Sequence, residues 1–145
     1  MSSNKLISIL GYSGLIPFYL IAIYFNLKNY NFLIDIFFLY SIIILCFLSG
    51  SLWMKTILVH THKKNNLFKI LSVVFPLIAL GTELFVNYIL KVPIYILIYI
   101  ILYTCDKQDN KRELDEYLKM RFFLTVNVIA THLLLLYGIY SNSLF

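Results

Sequence analysis

Five stretches of this chain are apolar over consecutive residues and nearly free of charge: Leu6–Phe25, Ile36–Leu58, Leu67–Leu84, Tyr88–Cys105 and Met120–Tyr140. Each approaches or exceeds the roughly 20 residues that a helix needs to cross about 30 Å of hydrocarbon. Strands of a membrane barrel alternate in and out over about 10 residues, and these runs show no such alternation. With no water in the bilayer core, a segment must satisfy its own backbone groups, which selects the helix. The chain therefore reads as an all-α integral membrane protein, a bundle of five transmembrane helices in a single transmembrane domain spanning 1–145.

Composition agrees with this reading. Of 145 residues, 61% are hydrophobic and 13% are charged, against about 25% charged in soluble domains. A water-soluble globule, a nucleic-acid-binding module and a disordered tail are excluded. The net charge of +5 sits beside apolar runs, so its natural partner is an anionic lipid surface. Cys46 and Cys105 lie within apolar runs and serve as small packing residues rather than a disulfide framework. The first run exceeds the 7–15 residues of a signal-peptide core and ends at Asn26-Leu27-Lys28 without a small-residue cleavage pattern, so it reads as a retained helix.

Basic residues alternate between the two sides that five spans define. Lys5, Lys55, Lys63, Lys64, Lys69, Lys107, Lys111, Arg112, Lys119 and Arg121 fall on one side, and only Lys28 and Lys91 on the other. The positive-inside rule then places the N-terminus inside and the C-terminus outside. Glu83, Asn87, Lys91 and Pro93 mark the turn between the third and fourth helices. Between the fourth and fifth, Asn110 with Glu113 forms a capping-box pattern, and Lys111–Asp115, Arg112–Glu116 and Asp115–Lys119 are opposite charges at i, i+4. That stretch, about 110–121, reads as a cytoplasmic charged helical extension. Over 106–121 five basic residues balance five acidic ones, as on a solvated face.

Five local motifs carry a resemblance. The first run opens with Leu10-Gly11-Tyr12-Ser13-Gly14-Leu15-Ile16-Pro17-Phe18, and the second holds Phe47-Leu48-Ser49-Gly50-Ser51-Leu52-Trp53. Ser72-Val73-Val74-Phe75-Pro76, Asp106-Lys107 and Tyr117-x-x-Met120-Arg121-x-x-Leu124-Thr125 follow in order. In these motifs the chain resembles the DUF3429 family of small multi-span membrane proteins, which includes the mitochondrial transmembrane protein 69 group. The resemblance implies a multi-span membrane fold and no particular chemistry. Ser49 stands where the family pattern has glycine, and Leu52 where it is often polar.

The remaining residues offer several sites, each with a structural reading beside it. Gly11, Gly14, Phe18 and Ala22 share one helix face, and Cys46, Ser49, Gly50 and Trp53 another. Small residues let helix backbones approach closely in lipid, so these read as packing seams rather than as a cavity lined by Ser13, Ser49 and Ser51. Pro17 and Pro76 free carbonyls that neighbours must satisfy. Arg121, Thr125, Val128 and His132 form one stripe, with His132 near mid-span. An ionisable group at that depth is by default a functional candidate, and a buried histidine bonded to its surroundings is the structural alternative. Asn127 and Thr131 face elsewhere and suit interhelical hydrogen bonds. Asp106 and Arg121 close and open adjacent helices and form a candidate ion pair. His60-Thr61-His62 is followed by Lys63-Lys64, which opposes a cation, and two histidines fall short of a zinc site's ligand number.

Signatures of nucleotide, metal or nucleophile chemistry are absent. The expectation is a protein without cofactor, metal or catalytic residues. It would be an accessory or assembly factor packing against a larger complex in a bacterial inner or mitochondrial inner membrane. The alternative is a small oligomeric transporter or channel built around His132, Thr125, Arg121 and Ser49.

Overall fold

The computed structural model describes residues 9–28, 30–58, 65–108 and 115–143. Every regular element among them is a helix: α1 (Ile16–Lys28), α2 (Phe32–Leu58), α3 (Asn65–Phe85), α4 (Tyr88–Gln108) and α5 (Asp115–Ser143). Residues 9–13 are also helical and lead through a turn at Gly14-Leu15 into α1, so the first apolar span is Ile9–Lys28. Among the described residues five helices are long and apolar enough to cross a membrane. Lys5, the histidine pair His60/His62 with Lys63 and Lys64, and the capping-box residues Asn110 and Glu113 lie outside the described residues.

Helix ends follow charge rather than hydropathy. α2 begins four residues before the apolar run, with Asp35 in its first turn, where a carboxylate complements the helix dipole. α4 continues to Gln108 with Lys107 in its last turn, the matching arrangement for a cation. The α3–α4 connection is only Val86-Asn87. The Asn87 carbonyl accepts from the Leu90 and Lys91 amides at 3.0 Å each, and the Val86 amide donates to Thr82 at 3.1 Å.

Prolines occupy two kinds of place. Pro17 is the second residue of α1, just after the turn, where a missing N–H costs nothing. The carbonyl of Gly14 at that turn accepts the Tyr40 hydroxyl at 2.8 Å, so a side chain from α2 satisfies a group that the helix break releases. Pro76 and Pro93 lie inside α3 and α4.

The chain divides into two compact units, Met1–Tyr40 with Lys111–Phe145, and Ser41–Asn110. In the first, α1 packs on α5. Tyr12 meets Phe123 edge-on at 5.6 Å, the Tyr19 hydroxyl donates to Asn127 Oδ1 at 2.6 Å, and Asn26 Nδ2 donates to the Leu134 carbonyl at 3.2 Å. Partners advance along both helices together, so α1 and α5 are parallel. Phe18, Ala22, Phe25, Phe37, Phe38, Val128 and Leu135 are buried in this unit.

In the second unit α3 and α4 are antiparallel, with Lys91 on Glu83 and the Tyr95 hydroxyl donating to the Ala79 carbonyl at 3.2 Å. α2 and α4 run the same way: the Tyr99 hydroxyl reaches the Ser41 carbonyl at 3.1 Å, and Lys55 reaches Asp106. Two tyrosines one turn apart on α4 thus tie it to α3 and α2.

Of the glycines, the one most tightly packed against another side chain is one that the sequence motifs do not single out. A Cβ at Gly138 would stand 2.7 Å from Asn26 Oδ1 and 2.9 Å from its Cγ, whereas a Cβ at Gly50 meets nothing within 4 Å. Gly50 is exposed, so the close seam on the described residues lies at Gly138 and Gly11 rather than at Gly50. Gly138→Leu should lower stability by about 2 kcal/mol through overpacking. Gly50→Ala should leave stability unchanged or raise it by about 0.5 kcal/mol. Unfolding in mixed micelles measures both, and a tolerated Gly138→Leu would contradict the seam.

Candidate functional site

Polar groups inside a span need a partner, because no water is present to supply one. In the first unit they gather where α1, α5 and the start of α2 meet. His132 has no exposed surface. Its ring lies 4.8 Å from Phe37, 5.8 Å from Phe18 and 6.4 Å from Phe38, centroid to centroid. Nδ1 is 2.8 Å from the Val128 carbonyl. A carbonyl only accepts, so Nδ1 carries a proton and donates. The Thr131 hydroxyl donates to the same carbonyl, also at 2.8 Å.

Asn127 and Asn26 complete the seam. Asn127 accepts from Tyr19 and donates through Nδ2 to the Phe123 carbonyl at 2.7 Å. Asn26 Nδ2 is shared between the carbonyls of Ala22, at 2.8 Å, and Leu134. Tyr12, Tyr19 and Asn26 recur every seven residues, a spacing that keeps successive side chains near one line on a helix. That spacing is the signal in the sequence from which this contact line could be found.

The other stripe residues sit on the same helix. Arg121 is buried, its guanidinium carbon 5.7 Å from the Tyr117 ring centroid. Thr125 is half-buried. Gly11 faces α5, where an added Cβ would lie 3.3 Å from Met120 Sδ and 3.4 Å from Leu124 Cδ1. Ser13 is exposed and bonds its own turn at Leu10.

The second unit holds two lysine clips of the same design. Lys55 Nζ lies 3.3 Å from Asp106 Oδ1 and 3.2 Å from the Asp106 carbonyl. Lys91 Nζ lies 2.9 Å from Glu83 Oε2 and 3.2 Å from the Glu83 carbonyl. Each ammonium therefore serves a carboxylate and a terminal carbonyl of the same residue, at the C-terminus of α4 and of α3 respectively. Those carbonyls have no intrahelical donor, and the dipole there attracts a cation. Lys91 also lies 5.0 Å from the Tyr88 ring centroid. The two lysines, placed on opposite sides by charge counting, are thus structural clasps.

Asp106 belongs to this unit, where Lys55 engages it, and Arg121 belongs to the first. Ser49, also in the second unit, is buried, and its hydroxyl has no hydrogen-bond partner among the described residues. Trp53 is exposed on α2, and its carbonyl accepts the Thr56 hydroxyl at 2.7 Å. Among the described residues no three histidine, cysteine or acidic side chains converge as a metal set would.

The clip geometry makes the partners unequal. The Asp106 side chain is 1% exposed and short, while Lys55 is 21% exposed and long enough to snorkel. Lys55→Met should cost about 3 kcal/mol by removing the ammonium that compensates a buried carboxylate. Asp106→Asn should cost less, and the double variant should recover most of the Lys55→Met loss. Micelle unfolding of the three variants checks this, and a fully stable Lys55→Met protein would contradict it.

A family model described as protein of unknown function (DUF3429) matches residues 3–137. No curated protein and no solved structure matches the chain. Covering nearly the whole length and meeting a five-span helical fold, the match shows that the chain belongs to the DUF3429 family.

Proposed function

We propose that this protein is a non-enzymatic accessory or assembly factor that packs laterally against a larger complex in an inner membrane, bacterial or mitochondrial. The observation that supports this reading best is the enclosure of His132. A proton relay or transport site must exchange with water, and this imidazole has no exposed surface among three phenylalanine rings. The lysine clips use two more ionisable pairs for helix-to-helix contacts. What the spans offer outward is apolar: Phe47, Leu84, Phe85 and Tyr137 are all more than two-thirds exposed. Such surface suits lipid or a packed neighbour.

In this reading the N-terminus is inside and the C-terminus outside, with the basic end of the spans at the inner surface. Purification from native membranes in mild detergent, with sizing and mass spectrometry, tests the role. The expected result is stoichiometric co-elution with a larger membrane protein, retained in His132→Leu provided that variant folds. A clean small homo-oligomer, with ion flux in liposomes that His132→Leu abolishes, would overturn the accessory role in favour of a transporter or channel.

A further inference from the structure

The two ends of the second unit differ in charge. At the end where α3 passes into α4, the single lysine, Lys91, is 4% exposed in its side chain and is held by Glu83. At the other end α2 and α4 finish and α3 begins, and among the described residues three lysines fall within five residues of these helix ends: Lys55, Lys69 and Lys107. The pairs Glu83–Lys91 and Ala79–Tyr95 fix the antiparallel register of α3 and α4. Carried toward the start of α3, that register brings Lys69 level with Cys105, and Lys107 level with Leu67. Among the described residues one carboxylate, Asp106, is buried there and engages Lys55. Lys107 is exposed and Lys69 half-buried, and neither has an ion-pair partner among the described residues.

This end therefore presents two ammonium groups on adjacent helices, Lys69 about one turn inside the limit of its apolar span and Lys107 at the limit of its own, the spans running Asn66–Phe85 and Tyr88–Lys107. Long lysine stems let such groups rise to headgroup level while their methylenes stay against apolar side chains. Trp53, 42% exposed on α2 two residues before Lys55, is the amphipathic ring type that settles at that depth. The charge complement is a phosphate held at the membrane surface. We propose that Lys69 and Lys107 form a binding site for the headgroup phosphate of an anionic phospholipid, with Lys55 withheld from it by Asp106. The site is independent of the accessory role.

Native mass spectrometry of the full chain, released from mixed micelles containing phosphatidylglycerol and phosphatidylcholine in equal amounts, tests the site. Each lysine near an anionic surface favours binding by about fivefold. Retained phosphatidylglycerol should therefore exceed phosphatidylcholine by on the order of 25-fold. The preference should drop by on the order of 25-fold in Lys69→Gln/Lys107→Gln, survive in Lys69→Arg/Lys107→Arg, and persist in Lys28→Gln, whose charge lies in the first unit. Should the double glutamine variant fail to fold, 0.5 M salt on the unaltered chain replaces it, and the preference should collapse there as well. Equal retention of the two lipids, a preference that survives the double glutamine variant or high salt, or full displacement by millimolar inorganic phosphate would overturn the proposal.

Discussion

In a hydrocarbon solvent a polar group has no water to fall back on, and the hydrogen bonds of most hydroxyls, amides and ammonium groups described in the spans follow from that. The backbone meets the demand by becoming helix. Where a helix is interrupted, a side chain steps in: Tyr40 serves the Gly14 carbonyl at the break ahead of α1. Where a helix ends inside or near the apolar layer, a lysine takes the terminal carbonyl and the neighbouring carboxylate together, as at Asp106 and Glu83. Short hydroxyls turn back on their own helix, as Thr56, Ser72, Thr82 and Thr131 do. Because no hydrophobic force draws helices together in lipid, these bonds and close approaches such as Gly138 on Asn26 set which faces meet.

The spans were legible in the sequence because length and unbroken apolarity are properties of each segment alone. The turn near Asn87 was legible for the same reason. Pairing was not. α5 carries Phe122, Phe123, Leu133 and Tyr137 on its exposed side and Val128, His132 and Leu135 on its buried side, so hydropathy does not reveal which face turns inward. The Tyr19–Asn127 and Asn26–Leu134 bonds join residues 108 apart in the chain, and only the rotation of both helices brings them together. Gly50 sat in a motif suggesting close packing, yet it faces open space, while Gly138 lay in no motif and is the most tightly packed of the glycines. His132 stood out as an ionisable group at mid-span, but its enclosure depends on Phe18, Phe37 and Phe38, from two other helices.

These arrangements bear on function by what they leave over. The ion pairs described in the spans hold helices together, and large apolar side chains such as Phe47, Leu84, Phe85 and Tyr137 are left exposed. The accessory role proposed above draws on that exposed apolar surface.

The parallel packing of α1 on α5 is the claim on which the topology rests, since five alternating crossings send the first and fifth helices the same way. Single cysteines answer it directly: Lys28→Cys at the end of α1 or Lys119→Cys near the start of α5, with Cys46 and Cys105 replaced, probed in sealed cells by a membrane-impermeant thiol reagent. The account predicts labelling of Lys28→Cys from outside, and of Lys119→Cys only after permeabilisation. Labelling of both from the same side would contradict it.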